Sequence, residues 1–291
     1  MDFSPLIIGA MRLGKWGVNF NTNEYESFIN GCLDLGFDTF DHADIYGDYT
    51  TEAEFGAVLK KSPSLRKRIK LITKCGIKMV SPNRPEHKVK SYDLSADHII
   101  KSVEHSLVEL STDHIDLLLL HRPDYLMNPE EIAGGFTKLK SEGKALGFGV
   151  SNFSTSQFDL LHKHYPLTTN QIEVSLLQRN AFDDGTLDQC LGLGLKPMAW
   201  SPLGGGALFK TSEDEMINRI QKVGNELCDG YNCGLDQLLY AWALAHPAGI
   251  IPVLGTSNLE RIGLAKAALE IKISREDWYR LWTAATGNEV L

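Results

Sequence analysis

Eight short apolar runs, each followed by a longer amphipathic stretch, constrain this chain more than any single motif. They span residues 6–11, 37–40, 69–73, 115–120, 145–150, 168–172, 195–200 and 250–254. Several, such as IDLLLL and IKLIT, are apolar almost throughout rather than alternating. Strands of that kind are covered on both faces, as in parallel sheets. Eight of them interleaved with helices predict an α/β fold, a (β/α)8 TIM barrel. A doubly wound open sheet is the alternative, but it usually opens with a glycine-rich turn. Here the first run leads into Arg12-Leu13-Gly14-Lys15, with no G-x-G-x-x-G.

The intervening stretches carry helix-start signals. Thr51 and Glu54 have capping-box spacing, and so do Ser154 and Gln157. Asn128 precedes Pro129 and an apolar face of Ile132, Phe136 and Leu139. After Ser95, the residues Ile99, Ile100, Val103, Leu107 and Leu110 recur at helical spacing. Asp236 and the residues after it read as an amphipathic barrel helix. No linker or composition break interrupts the 291 residues, so one domain, 1–291, is expected. Two longer insertions, 78–94 and 203–215, both follow strands. They therefore fall on the C-terminal face, where barrel enzymes keep their sites.

Charge and cysteine content exclude several roles. With 29 Lys and Arg against 37 Asp and Glu, the net charge is −8. A nucleic-acid binder would need a basic face. The five cysteines, Cys32, Cys75, Cys190, Cys228 and Cys233, are odd in number and form no C-x-x-C. That pattern fits reduced thiols and a cytoplasmic protein rather than a disulfide or zinc framework. The start, MDFSPLIIGAMRLG, lacks the basic region of a signal peptide. No apolar run approaches the roughly 18–20 residues of a membrane span. Composition leaves the oligomeric state open.

The barrel reading predicts that reactive side chains gather at strand ends. Asp41 closes the second run and is soon followed by Tyr46; Lys74 closes the third and His121 the fourth. A polar residue placed directly after a buried strand needs a partner, and Asp41 and Lys74 on adjacent strands suit each other. The set supports carbonyl reduction. A phenol is a weak acid at neutral pH, and a nearby ammonium lowers its pKa. Tyr46 would then donate a proton to the developing alkoxide, with Lys74 assisting, Asp41 holding Lys74, and His121 fixing the carbonyl. There is no G-x-S-x-G and no H-E-x-x-H, and His42-Ala43-Asp44 is not an H-x-H pair, so neither a hydrolase nucleophile nor a metal site is expected.

The stretch GFDTFDHADIYG at 36–47 resembles the aldo-keto reductase signature around a catalytic Asp and Tyr. ITKC at 72–75 and DLLLLH at 116–121 resemble that family's Lys and His strands. GFGVSNF, Asn170-Gln171, WSPLG and IPVLGTS follow in family order over nearly the whole chain. The resemblance implies an NADPH-dependent reductase of aldehydes or ketones, with a small-molecule carbonyl substrate and NADP(H) as cofactor. It makes Asp41, Tyr46, Lys74 and His121 the catalytic four. It sets Ser151, Asn152 and Gln171 on the nicotinamide carboxamide and Trp200 on the nicotinamide face. Ser201, Leu203 and Gly204 would approach the pyrophosphate. Thr256, Ser257 and Arg261 would surround the adenosine 2′-phosphate, beside Gly255, where many members carry a Lys.

The chain also departs from the family pattern. His42 replaces a small Thr or Ser and would touch Tyr46 or the pocket. Leu264 and Ala265 replace a Glu-Asn pair, and Val174 replaces an aromatic residue. The short tail implies an open substrate pocket. Cys75 follows Lys74, but strand alternation turns it away, toward packing. Two other readings compete: a cofactor-binding sensor or regulatory barrel with little turnover, and a barrel isomerase or hydrolase.

Overall fold

Each apolar run supplies one barrel strand. The computed structural model describes residues 2–290. In chain order the strands are β1 (Ile7–Gly9), β2 (Thr39–Asp41), β3 (Lys70–Cys75), β4 (Ile77–Lys78), β5 (Ser91–Tyr92), β6 (Leu117–Leu120), β7 (Phe148–Ser151), β8 (Asn170–Glu173), β9 (Met198–Trp200) and β10 (Ile251–Leu254). All but β4 and β5 order into a closed parallel barrel, β1-β10-β9-β8-β7-β6-β3-β2. The expected (β/α)8 architecture is therefore present, and the open sheet is not. Most strands are shorter than the apolar runs, because only part of each run pairs with its neighbours, whereas β3 extends past its run to Cys75. The antiparallel pair β4–β5, Ile77 opposite Tyr92, closes the two ends of the 78–94 insertion against each other.

The chain divides into two compact units, Met1–Gln171 with Gly255–Ser257, and Ile172–Leu254 with Asn258–Leu291. In the first unit, parallel register aligns Gly9 with Asp41 and Asp41 with Ile72. Lys74 and Leu119 are also in register. Residues in parallel register share a face, and so do residues two apart on one strand. Asp41, Ile72 and Lys74 thus point the same way. Thr73 points the other way, and its hydroxyl donates to Glu52 on the helix Thr51–Lys61 at 2.5 Å. Behind β7, Phe148 stacks on Phe136 of the helix Pro129–Ser141 at 4.3 Å. The second unit is built around aromatic side chains. Trp242 stacks on Trp278 at 5.0 Å, and Trp278 stacks on Trp282. The Trp278 indole donates to the Trp242 carbonyl.

Most caps form as the sequence predicts. Ser95, Asn128 and Ser154 cap their helices, with a full capping box at Ser154–Gln157. The Thr51–Glu54 box does not form. Thr50 takes the N-cap position without a side-chain cap, and its hydroxyl bonds the Gly47 carbonyl and Glu54 instead. A capping side chain needs an extended N-cap backbone, whereas Thr50 is already helical, at φ −117° and ψ −24°. The helix Leu235–Leu244 is less amphipathic than expected, because every residue from Leu238 to Ala243 is buried. Among the described residues, no helix is long and apolar enough to cross a membrane.

Candidate active site

Asp41 ends β2 and Lys74 lies one residue before the end of β3, so the shared face brings them together at the ends of adjacent strands. The Lys74 Nζ donates to both Asp41 oxygens, at 2.8 and 2.7 Å, and to the His42 carbonyl at 2.7 Å. It also reaches the Tyr46 hydroxyl at 3.2 Å. Lys74 is 1% and Asp41 3% exposed. A buried pair of charges persists only if its remaining valences are filled by hydrogen bonds, and the His42 carbonyl and Tyr46 hydroxyl do this for the ammonium. Burial works against the Lys74 charge, but Asp41 and Tyr46 outweigh it, and its pKa lies above the ordinary lysine value. Lys74 is therefore a fixed cation at neutral pH.

Tyr46 enters from a strained turn. Gly47, Asp48 and Tyr49 all have positive φ, at 61°, 59° and 70°. Left-handed backbone is costly for Tyr and Asp and persists only where surrounding contacts enforce it. The Tyr49 hydroxyl supplies one such contact by accepting from the Met79 amide at 2.8 Å, which ties the turn to the segment after β4. Held in this way, the Tyr46 ring meets the His121 ring edge-on at 6.1 Å, and Trp16 packs against it at 6.2 Å. Trp16, in the loop after β1, is a neighbour that no sequence motif singled out. The expected lowering of the phenol does not survive. Burial raises the Tyr46 pKa, Lys74 pulls it back down, and Asp41 pushes it up, leaving it above its ordinary value. The ammonium favours the phenolate, but desolvation of the ring's anion is larger.

His121 follows β6, and its backbone amide donates to the Cys75 carbonyl at 2.9 Å. Burial, then the positive charges of Lys74, Arg122 and Lys90, drive its pKa well below the usual histidine value. The ring stays neutral and carries one N–H. Its Nδ1 is buried without a hydrogen-bond partner among the described residues. The arrangement thus offers a neutral phenol, a neutral imidazole and a fixed cation around one point. It can polarise a carbonyl oxygen and deliver a proton to it.

The other residues singled out by the sequence divide by position. Gln171, on β8, donates from Nε2 to Asp41 Oδ1 at 3.0 Å and so joins the catalytic group directly. Ser151 ends β7 in register with Gln171, and Asn152 follows it with φ 59°. The Asn152 amide donates to the Ser151 hydroxyl at 2.7 Å. Gly255, Thr256 and Ser257 follow β10. A Cβ built on Gly255 would meet nothing within 4 Å.

In the second unit, Trp200 ends β9 and Ser201 has φ 50°. The Ser201 carbonyl accepts from the Gly204 amide, and the Leu203 carbonyl accepts from the Gly206 amide. Gly204 has φ 59°, and a Cβ there would lie 2.5 Å from the Leu177 side chain, so both backbone and space favour glycine. Arg261 lies in the first turn of the helix Leu259–Lys266, where its amide donates to the capping Asn258 side chain. Its guanidinium makes no ion pair among the described residues, leaving its donors available to an anion.

His42 is not at the mouth. It is fully buried, points away from Asp41 by strand alternation, and packs edge-on against Phe55 at 4.6 Å. Burial and then Lys74 push its pKa down to about 3. Only its carbonyl serves the site. Cys75 is buried as expected, and burial raises its thiol pKa well above the ordinary value.

The sequence profile of the Aldo/keto reductase family matches residues 5–285. The chain belongs to the aldo/keto reductase family. It is an oxidoreductase of that family. It is 46% identical to the uncharacterized oxidoreductase YcsN of Bacillus subtilis, over all of this chain and 97% of the relative. It is 42% identical to a 6-dehydroglucose reductase of Agrobacterium fabrum, over all of this chain and 97% of the relative. Among solved structures it is similar to an aldo/keto reductase from Klebsiella pneumoniae in complex with NADP and acetate. That match has 25% identity and a TM-score of 0.75, covering 96% of this chain and 90% of the other.

Proposed function

We propose that residues 1–291 act as one NADPH-dependent reductase domain that converts aldehydes or ketones to alcohols, with Tyr46 as proton donor. The observation that carries this reading is Lys74 Nζ set between the Asp41 carboxylate and the Tyr46 hydroxyl, at 2.7 and 3.2 Å. The family and the NADP-bound relative support NADP(H) as the cofactor. The residues present also fit it. Arg261 is exposed and makes no ion pair among the described residues, as a 2′-phosphate partner should. Thr256 and Ser257 precede its helix, and Gly255 leaves open space beside them. Ser201, Leu203 and Gly204 would meet the pyrophosphate at a turn in which Ser201 and Gly204 have positive φ. Ser151, Asn152 and Gln171 would hold the carboxamide, and Trp200 would cover the nicotinamide ring.

When bound, the cofactor supplies the hydride. Everything else falls to side chains of this chain. Tyr46 keeps its proton at neutral pH because burial holds the phenol up, so it is a donor and not a base in the resting site. As negative charge grows on the carbonyl oxygen, that oxygen becomes basic enough to draw the proton. Lys74 then stabilises the phenolate only as it forms, which is where stabilisation lowers a barrier. Asp41 keeps Lys74 charged and aimed. Neutral His121 can donate one hydrogen bond to the same oxygen, but it has no proton to release at neutral pH. Trp16, beside Tyr46, would form part of the substrate wall. The 6-dehydroglucose reductase relative supports a substrate class of aldehydes on polyhydroxylated carbon chains.

The assay is NADPH consumption over a panel of sugar-derived, aromatic and aliphatic aldehydes and ketones. Tyr46→Phe is run beside the wild type. Loss of the acid is expected to lower kcat by about 10²–10⁴-fold while NADPH binding stays nearly intact. Equal turnover by both proteins would refute Tyr46 as the donor.

A further inference from the structure

The contact between Gln171 and Asp41 is not required by cofactor binding, and it spans the barrel. Their strands, β8 and β2, are four positions apart around the ring in either direction. The side chain of Gln171 therefore crosses the interior to reach Oδ1 at 3.0 Å. Its backbone cannot follow Asp41, because its carbonyl accepts from the Asn152 amide at 3.0 Å in the β7–β8 ladder. Gln171 is 2% exposed, so water cannot replace it. A carboxylate only accepts hydrogen bonds, which fixes the amide with Nε2 toward Asp41 and Oε1 away from it. Asp41 Oδ1 thus has two donors, Lys74 at 2.8 Å and Gln171 at 3.0 Å, arriving from opposite sides of the barrel.

We infer that Gln171 is a positioning residue for the proton-donating centre. It holds the Asp41 carboxylate in the rotamer that aims Lys74 at Tyr46. This rests on the reductase reading, in which Gln171 also touches the nicotinamide carboxamide. The same amide then registers a bound cofactor through Oε1 and braces the catalytic pair through Nε2.

Two substitutions separate this role from plain cofactor binding. Gln171→Leu removes the brace. With NADPH saturating, kcat is expected to fall about 10- to 100-fold, the size of one hydrogen bond to a charged group. The carbonyl KM should change less than about threefold. Unchanged kcat with only weaker NADPH binding would overturn the inference.

Gln171→Glu sets a second carboxyl against Asp41. Two carboxyls at that distance share one proton. The variant should therefore gain activity as pH falls, along a limb absent from the wild type. The charged and titratable groups around that point are Lys74, Tyr46, His121 and Asp44, with His42 and Glu52 behind Lys74, and the last two are likewise common to both proteins. Lys74 stays charged and His121 neutral, and Tyr46 and Asp44 are common to both proteins. A kcat profile parallel to the wild type would overturn the inference.

Thermal unfolding of the cofactor-free protein gives an independent readout. The folded Glu–Asp pair holds a proton that the unfolded chain releases, so the folded state binds more protons and stability falls as pH rises. The deficit of Gln171→Glu against wild type should widen from about pH 5 to about pH 8. Adding Asp41→Asn should abolish that widening. A deficit independent of pH would mean that the two side chains do not face each other. If wild type consumes no NADPH on any carbonyl, the reductase reading fails, while the melting series still decides the Gln171–Asp41 link. If Gln171→Glu does not fold, Gln171→Leu carries the kinetic test alone.

Discussion

Replacing Lys74 with methionine should destabilise the protein in a pH-dependent way. The substitution keeps much of the side-chain volume and removes the ammonium. Asp41 then loses its contacts at 2.8 and 2.7 Å and retains only Gln171. Asp41 is 3% exposed, so water cannot solvate the abandoned charge. Breaking a buried pair from one side costs about 3–5 kcal/mol, mostly the penalty of the uncompensated ion. At about 2 °C per kcal/mol for a chain of this size, the melting midpoint should drop by about 6–10 °C. The neutral Gln171 amide cannot offset the charge, so the carboxylate is neutralised by taking up a proton. The folded variant therefore binds a proton that the unfolded chain has lost, and its deficit grows as pH rises. Adding Asp41→Asn removes the charge and should recover more than half of the loss.

Guanidinium unfolding of wild type, Lys74→Met, Asp41→Asn and the double variant, at about pH 5 and about pH 8, measures each quantity. A deficit under about 1 kcal/mol, one equal at both pH values, or no recovery in the double variant would refute the argument.

Two more expectations follow from other residues. Glu52 is buried beside Thr73, and burial raises its pKa to about 7. Its folded pKa exceeds its unfolded one, so stability is full below about pH 4.5 and declines up to about pH 7. The span is about 3 kcal/mol, and Glu52→Gln should flatten that slope in unfolding curves. Gly255→Lys has open space for its Cβ, so the melting midpoint should hold. NADPH should bind about 2- to 5-fold tighter by fluorescence titration, as one added exposed ion pair allows, with NADH unchanged. Equal gains for NADPH and NADH would remove the 2′-phosphate from that corner.

The strand periodicity specified the barrel. Runs such as Leu117–Leu120 can be satisfied only by burial on both faces, and that leaves parallel strands between helices. Strand ends then marked Asp41, Lys74 and His121, because a polar residue directly after such a run has to have a reason to be there. Alternation alone also turned Cys75 away from Lys74. The failures share one cause, which is that local spacing does not report the environment a side chain ends in. The Thr51–Glu54 spacing was right, but the left-handed turn through Gly47–Tyr49 delivers Thr50 already helical, so no cap forms. His42 stood next to the signature Asp, yet the pleat sends it outward against Phe55. The Tyr46 pKa depended on a contest between Lys74 and burial, and burial is set only once the fold closes around the ring.

Residue identity and period thus determined the architecture and named the reacting groups. Only the closed barrel decided which of them share a solvent-free interior. It brought Gln171 to Asp41 across 130 residues of sequence, because curvature round the ring, unlike anything in the linear pattern, makes opposite strands face each other.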